Sequence, residues 1–319
     1  MIGGGGFIGS AAVRRLVAGG ARVRCLVRPG STNTARLAGL DWERADGDIT
    51  DAAAVARAAI GCRAIVHLAS PTAWKDIDSP SLETTVRAGT RNVLDAARSA
   101  GQRVVFVSSV VAVNGADEPV VFDETSPFTL TDPSLRYAHA KHAAEEQCRA
   151  AARGGADVVI VNPAETYGPE DTGLITAGSL KDIALSTPVM ICTGGTSIVH
   201  VDDVAAGVVA ALERGRAGER YVLGGDNLTV RQLAELTLEL LGRRATVVTV
   251  PNGFLRWLGR TALRLGVPLP LEPRVIPYAT KYWFVDNAKA RTELGCTFRP
   301  AREVLAPTLA WLRRAGHVP

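Results

Sequence analysis

The stretch Met1-Ile2-Gly3-Gly4-Gly5-Gly6-Phe7-Ile8-Gly9 decides the fold. Gly3, Gly6 and Gly9 keep the spacing of a dinucleotide-binding turn, and a helical pattern follows at Ala11–Ala18. In such a turn the first glycine permits the tight bend and the second lets the backbone approach a pyrophosphate. The third lets helix and strand pack closely, and the helix N-terminus faces the phosphates. A flexible glycine tail is the plain alternative, disfavoured by the helix that follows. The turn also needs a strand ahead of it, central in a sheet of this kind. Only Met1 and Ile2 precede the glycines, so the sequence predicts a native chain that starts several residues upstream with an apolar strand.

Outward from this turn, short apolar runs alternate with amphipathic stretches. Strands are predicted at Arg22–Val27, Trp42–Ala45, Ala64–Leu68, Val104–Val107 and Val158–Val161. Helical patterns lie at Ala52–Ala59, Leu82–Ala100 and Ala138–Ala152. Continuous Val/Ile/Leu strands separated by helices indicate a parallel sheet covered on both faces. The fold class is therefore α/β, a doubly wound Rossmann sheet. After about Pro163 the alternation breaks into short segments: Val189–Cys192, Val204–Glu213, Tyr221–Leu223, Val230–Leu241, Phe254–Leu265 and Arg302–Arg314. The division expected is a dinucleotide-binding domain over 1–163, also taking in about 196–223. A smaller interwoven substrate lobe takes 164–195 and 224–319.

Bulk composition excludes several functions. A net charge of +4, with arginines spread along the chain, does not argue for nucleic acid. The five cysteines (Cys25, Cys62, Cys148, Cys192, Cys296) are scattered, without a CxxC pair or a Cys/His cluster. Neither a metal site nor a disulfide framework is expected, and the usage suits a reducing cytoplasm. The glycine-rich opening lacks the basic start and apolar core of a secretory signal, and no apolar run is long enough to span a bilayer.

Cofactor preference is read from the end of the second strand. Arg28 stands where NAD-specific folds carry an acid for the ribose hydroxyls, and a guanidinium there suits the 2′-phosphate of NADP. An exposed arginine without a ligand is the rival reading, so NADP is preferred over NAD with both open. Asp48, in Gly47-Asp48-Ile49, could accept a bond from the adenine amino group or cap a helix.

Tyr137 and Lys141 lie four apart on a helical pattern, hence on one face. A phenol titrates near ~10 and needs help to move protons near neutrality. A neighbouring ammonium and an oxidised nicotinamide would both lower that value. Alone, this pair occurs by chance on solvated helices. Ser108 and Ser109 strengthen it, because they end a strand at the carboxyl edge where open α/β sheets bind ligands. Serines there are otherwise ordinary turn residues; the glycine turn, the serines and the Tyr/Lys helix in this order make the specific signal.

The chain resembles the extended short-chain dehydrogenase/reductase family, also called the NAD-dependent epimerase/dehydratase family, over essentially its full length. The segments GGGGFIGS, GDITD, IVHLAS, FVSSV, YAHAK, VNPAETYGP and IVHVDDVAAG carry the likeness. LVRPGS, VNP and GERYVLGGDNLT bring it nearest the dihydroflavonol-reductase-like and hopanoid-associated sugar-epimerase-like branch. The resemblance implies Ser109 as the catalytic hydroxyl, Tyr137 as acid/base, and Lys141 as the ribose ligand that lowers the tyrosine pKa. It implies that Gly3, Gly6 and Gly9, with Phe7 and Ile8, cradle the pyrophosphate, and that Asp48 and Ile49 hold adenine. His67, Leu68, Ala69 and Ser108 would line the cofactor cleft, and Pro163 would meet the carboxamide side of nicotinamide. By the same likeness, Leu82–Ala100 and Ala138–Ala152 would form a homodimer face.

Departures from the family pattern narrow the chemistry. Thr196 and Ser197 stand where sugar-nucleotide epimerases usually carry Arg-Asp, and Asn162 stands where they tend to carry Arg. Losing cations weakens a diphosphate-binding reading, because a diphosphate needs charge-assisted donors. Val110 and Val111 replace the Asp-Glu that family dehydratases place after the catalytic hydroxyl. The reading preferred is an oxidoreductase interconverting a carbonyl and an alcohol on a partly apolar small molecule. The alternatives are an NAD(P)-retaining sugar epimerase and a non-catalytic NAD(P) sensor.

Three further features carry expectations. Asp202 is read as the cap of the helix at Val204–Glu213, with His200 structural. His139 and His142 are read as solvated. Arg256, Arg260 and Arg264 form a basic stripe beside Phe254, Leu255, Trp257 and Leu258, which fits an interfacial membrane helix or a lid over the substrate pocket. The lid is the reading preferred.

Overall fold

The computed structural model describes residues 1–71, 76, 77, 79–269 and 272–319. The first half follows the predicted alternation: α1 (Phe7–Ala18), β1 (Arg24–Val27), β2 (Glu43–Asp46), α2 (Ala52–Ala59), β3 (Ala64–His67) and α3 (Pro80–Ala100). Then come β4 (Arg103–Val107), β5 (Val121–Phe122), α4 (Arg136–Arg153) and β6 (Val158–Pro163). Strands β1 and β2 pair in parallel, and β3, β4, β6 and the later β10 (Arg220–Leu223) form a second parallel run in that order. Ile2 joins the two runs, bridging Leu26 of β1 and His67 of β3, both in parallel. Its amide donates to the Val66 carbonyl at 2.9 Å, and its carbonyl accepts from Leu68 at 2.8 Å. Met1-Ile2 thus holds the central strand position and leads directly into the glycine turn.

Strand alternation divides the core between the two faces of this sheet. Val105, Val107, Val159 and Val161 pack with Ala11 and Ala12 of α1 and with Val204 and Val208. Val104, Phe106, Val158 and Ile160 pack with Val86 and Val93 of α3 and Ala138 and Ala144 of α4. Because both faces are covered, β6 is buried at all six positions, and its Val158–Val161 stretch reads as one apolar run.

The second half weaves between this sheet and another. Its elements begin with β7 (Glu165–Tyr167), α5 (Ala177–Leu185), β8 (Val189–Ile191), β9 (Gly195–His200), α6 (Val201–Arg214) and β10. They continue with β11 (Asn227–Thr229), α7 (Val230–Leu241), β12 (Val247–Thr249), α8 (Asn252–Leu265), α9 (Ile276–Ala279), β13 (Tyr282–Val285), α10 (Ala288–Leu294) and α11 (Ala301–Arg314). Helix α6 returns to pack on α1 and the parallel sheet, and β10 pairs with β6. Strand β9, which includes the start of the stretch expected with the dinucleotide-binding domain, lies in the second sheet. It pairs there with β7, β11 and β13, a choice of partner that its apolar pattern does not encode.

The predicted cap of α6 also moves. The helix begins at Val201, and His200 Nδ1 accepts from the Asp202 amide at 3.2 Å, so His200 and not Asp202 is the cap. His139 and His142 are not solvated: the His142 ring stacks on Phe128 at 4.0 Å, and His139 Nε2 lies 2.9 Å from the Asp132 carbonyl. Among the described residues no helix is long and apolar enough to cross a membrane.

Candidate active site

The glycine turn is sterically committed to glycine. Gly3 sits at φ +89°, and a Cβ there would lie 2.9 Å from the Ala69 amide nitrogen. A Cβ on Gly9 would lie 2.1 Å from the Gly3 carbonyl oxygen, so any side chain would split turn from helix. The Gly6 amide closes the bend on the Gly3 carbonyl at 3.1 Å. Gly6 also begins α1 without a side-chain cap, leaving the opening amides of Phe7, Ile8 and Gly9 at the positive end of the helix dipole. Such a cradle fits a pyrophosphate. Arg36 braces it, donating to the Gly5 carbonyl at 3.2 Å and the Glu170 carbonyl at 3.0 Å. Sequence reading missed Arg36, because its partners lie 31 and 134 residues away.

At the adenosine end, Arg28 is exposed just beyond β1. The Asp48 carboxylate accepts from the Thr50 hydroxyl and amide at 2.6 and 2.8 Å. Those bonds, with a smaller contribution from the Arg28 charge, hold it below the usual carboxylate range. Asp48 is not a helix cap: Asp51 caps α2, accepting from Ala53 and Ala54. Ile49 is buried, and its carbonyl accepts from Asn92 Nδ2 at 2.9 Å. Leu68 and Ala69 follow β3 against Gly3, whereas the His67 ring is turned towards α3, with Nε2 3.2 Å from Thr90 Oγ1. Burial, aided by the Lys141 charge, pushes His67 down to about 3, so it is neutral at physiological pH.

Strand β4 delivers Ser108 and Ser109 to the carboxyl edge. Ser108 Oγ is buried without a hydrogen-bond partner, an acceptor and donor left open at the end of β4. Ser109 begins a 3-10 turn at Val110–Ala112, its Oγ accepting from the Val111 amide at 3.4 Å. Facing them, the first turns of α4 carry Tyr137 and Lys141. The Lys141 ammonium donates to the Val107 carbonyl at 3.0 Å and lies 5.8 Å from the centre of the Tyr137 ring. The tyrosine and lysine therefore lie beside the strand end that presents the serines.

Burial pushes Tyr137 up to about 12, opposed only by a hydrogen bond from the Ser70 hydroxyl. Desolvation of the phenolate dominates, whereas the lowering expected of Lys141 together with an oxidised nicotinamide belongs to the cofactor-bound site. Burial also brings Lys141 down to about 8, although Glu145 pulls it upward. Beneath the pair lies a polar cluster that the sequence did not announce. Asn162 Nδ2 donates to the Ser109 carbonyl at 2.8 Å and to Glu145 Oε1 at 2.5 Å. Glu145, fully buried, also meets Arg220 and Arg149 at 3.4 Å each. Pro163 ends β6 next to Asn162. A separate cleft of about 760 Å³ lies near the end of α4 and the start of β10, lined in part by Arg153, Glu124 and Lys289, away from Tyr137.

Comparison with known proteins agrees with this construction. The profile of the NAD dependent epimerase/dehydratase family matches residues 1–224. A sterol demethylase protein B from Methylococcus capsulatus is 31% identical, covering 98% of this chain and 97% of its own. A cinnamoyl-CoA reductase from Oryza sativa is 32% identical, covering 99% and 90%. The crystal structure of a nucleoside-diphosphate-sugar epimerase from Pseudomonas aeruginosa superposes with a TM-score of 0.80 at 28% identity, over 100% of this chain and 98% of that one. The chain belongs to the NAD-dependent epimerase/dehydratase family of extended short-chain dehydrogenases, a family of nicotinamide-dependent enzymes.

Proposed function

We propose that this enzyme reduces a carbonyl on a partly apolar small molecule, or runs the reverse oxidation, with Tyr137 as the proton-transfer group. The observation that carries the reading is the neutral, half-buried Tyr137 beside Lys141 and next to the Ser108-Ser109 strand end. A phenol at about 12 holds its proton at neutral pH and is set to donate it to an oxygen that gains negative charge. Bound nicotinamide supplies or accepts the hydride. The Ser109 hydroxyl orients the substrate oxygen, and Asn162 fixes the backbone that carries that serine. Lys141 holds the ribose, and the opening amides of α1 hold the pyrophosphate.

NADP is the preferred cofactor in this reading, supported by the exposed guanidinium of Arg28 past β1. The two relatives named for sterol and cinnamoyl-CoA chemistry support an apolar substrate. Five free cysteines support a reducing compartment, the cytoplasm. A second reading, a cofactor-retaining sugar epimerase, has the structural likeness to the Pseudomonas enzyme in its favour. Against it stand Thr196, Ser197 and Asn162, none of which supplies a cation for a diphosphate. NADPH and NADH oxidation against aldehydes, ketones and sterols separates the two. Net cofactor oxidation supports the reductase; sugar isomerisation without net oxidation replaces it with the epimerase.

A further inference from the structure

Helix α8 turns its aromatic side away from the molecule. Its inward side carries buried Gly259 and Ala262, and a Cβ on Gly259 would lie 2.6 Å from the Ile276 side chain of α9. Arg256, at the edge of that side, is held by Asp117 at 2.8 Å and by the Thr280 hydroxyl at 2.9 Å. The outward side leaves Phe254 53% and Trp257 59% exposed, their ring centres 5.9 Å apart. Leu265 and Val267 follow at the carboxyl end, also exposed. Every other phenylalanine and tryptophan among the described residues is buried or half-buried. A lid over an internal pocket would face these rings inward; here they face solvent.

Charge selects the partner. Residues 240–271 contain five arginines and no acid, in a chain whose net charge is only +4. Arg260 and Arg264 are exposed and follow Trp257 at helical spacing, so two guanidiniums flank the indole on one outward face. Among the described residues neither closes an ion pair, although the Arg260 charge reaches the Asp132 carboxylate and helps to lower its pKa. A second copy laid against this face would bring arginine near arginine. An anionic lipid surface instead offers phosphates for the guanidiniums and an apolar boundary for the rings. Tryptophan and phenylalanine settle at that boundary because their bulk is apolar, and indole keeps a polar N–H for the headgroups.

We propose that α8 docks this enzyme on an anionic membrane surface, with Phe254 and Trp257 entering the headgroup–acyl boundary and Arg260 and Arg264 on lipid phosphates. This rests on the outward face of α8 and is independent of the reaction assigned above. The test is co-sedimentation of the whole protein with vesicles of phosphatidylcholine, with and without phosphatidylglycerol. Binding is expected only with phosphatidylglycerol, weakening as salt rises. Trp257→Ser and the double change Arg260→Glu/Arg264→Glu should each reduce it about ten-fold, with unchanged circular dichroism and elution volume. Absence of binding to phosphatidylglycerol vesicles at low salt overturns the proposal. So does undiminished binding by both variants, or concentration-dependent self-association that Trp257→Ser abolishes.

Discussion

The ammonium of Lys141 donates to the carbonyl of Val107 at 3.0 Å, tying α4 to the end of β4 inside the protein. Burial lowers this lysine from 10.5 to about 8. Below pH 8 both folded and unfolded chains carry the proton, and the folded chain bears the penalty. As pH rises from about 8 towards 10.5 the folded chain releases the proton first, so stability increases. Lys141→Met should therefore be inactive, with its stability relative to the natural protein most favourable at and below pH 7. That margin should shrink towards pH 10.5 in urea denaturation. A stability difference that stays constant from pH 7 to pH 10.5 would contradict the depressed pKa.

Tyr137→Phe removes the proton donor and keeps the ring. The expected loss in kcat is about 10²–10⁴-fold, with cofactor affinity within about two-fold of the natural value, since phenylalanine preserves the packing. Steady-state kinetics with fluorescence titration of NADPH measures both. Retained turnover would move the acid/base role to another group.

Arg220 neutralises a glutamate that has no access to water. Arg220→Met leaves the buried Glu145 charge with the half-buried Arg149 as its one remaining ion-pair partner among the described residues, and the expected loss of stability is about 3 kcal/mol. Asn162→Ala also removes the bond to the Ser109 carbonyl, and its expected signature is a lower kcat with a smaller change in KM. Thermal melts and kinetics read these separately; an unchanged melt for Arg220→Met would show that Arg149 alone compensates the Glu145 charge.

Gly9→Ala places a methyl group 2.1 Å from the Gly3 carbonyl oxygen. The turn must open, so NADPH binding should fall beyond detection in fluorescence titration, with a stability loss of about 1–3 kcal/mol. Binding at natural affinity would show that the turn is not the cradle.

Arg28→Asp exchanges a phosphate partner for a ribose-hydroxyl partner. The ratio of kcat/KM for NADPH over NADH should fall by about 100-fold, from a lost charge-assisted bond and a new repulsion. An unchanged ratio would place the specificity determinant elsewhere.

Much of the fold was legible because its signals are local. The strand and helix patterns of the first half emerge within two residues of their predicted bounds in most cases, and α2 matches Ala52–Ala59 at both ends. Helix α1 is the exception, beginning at Phe7 because Gly6 serves as its cap. The Tyr137–Lys141 pair was legible for the same reason, since four residues of helix bring side chains to one face whatever surrounds them.

Glycine spacing, strand periodicity and helical pairing are properties of neighbouring residues, and the amino-acid order alone determined them. The tertiary structure decided everything that depends on burial or on distant partners. It placed β9 in the second sheet, made His200 a cap, and pushed Tyr137 up by burial. It also gathered Glu145 with Asn162 and Arg220, which stand 17 and 75 residues away. Desolvation and ion pairing are set by what the folded chain brings close and what water it removes, and neither quantity is carried by local order.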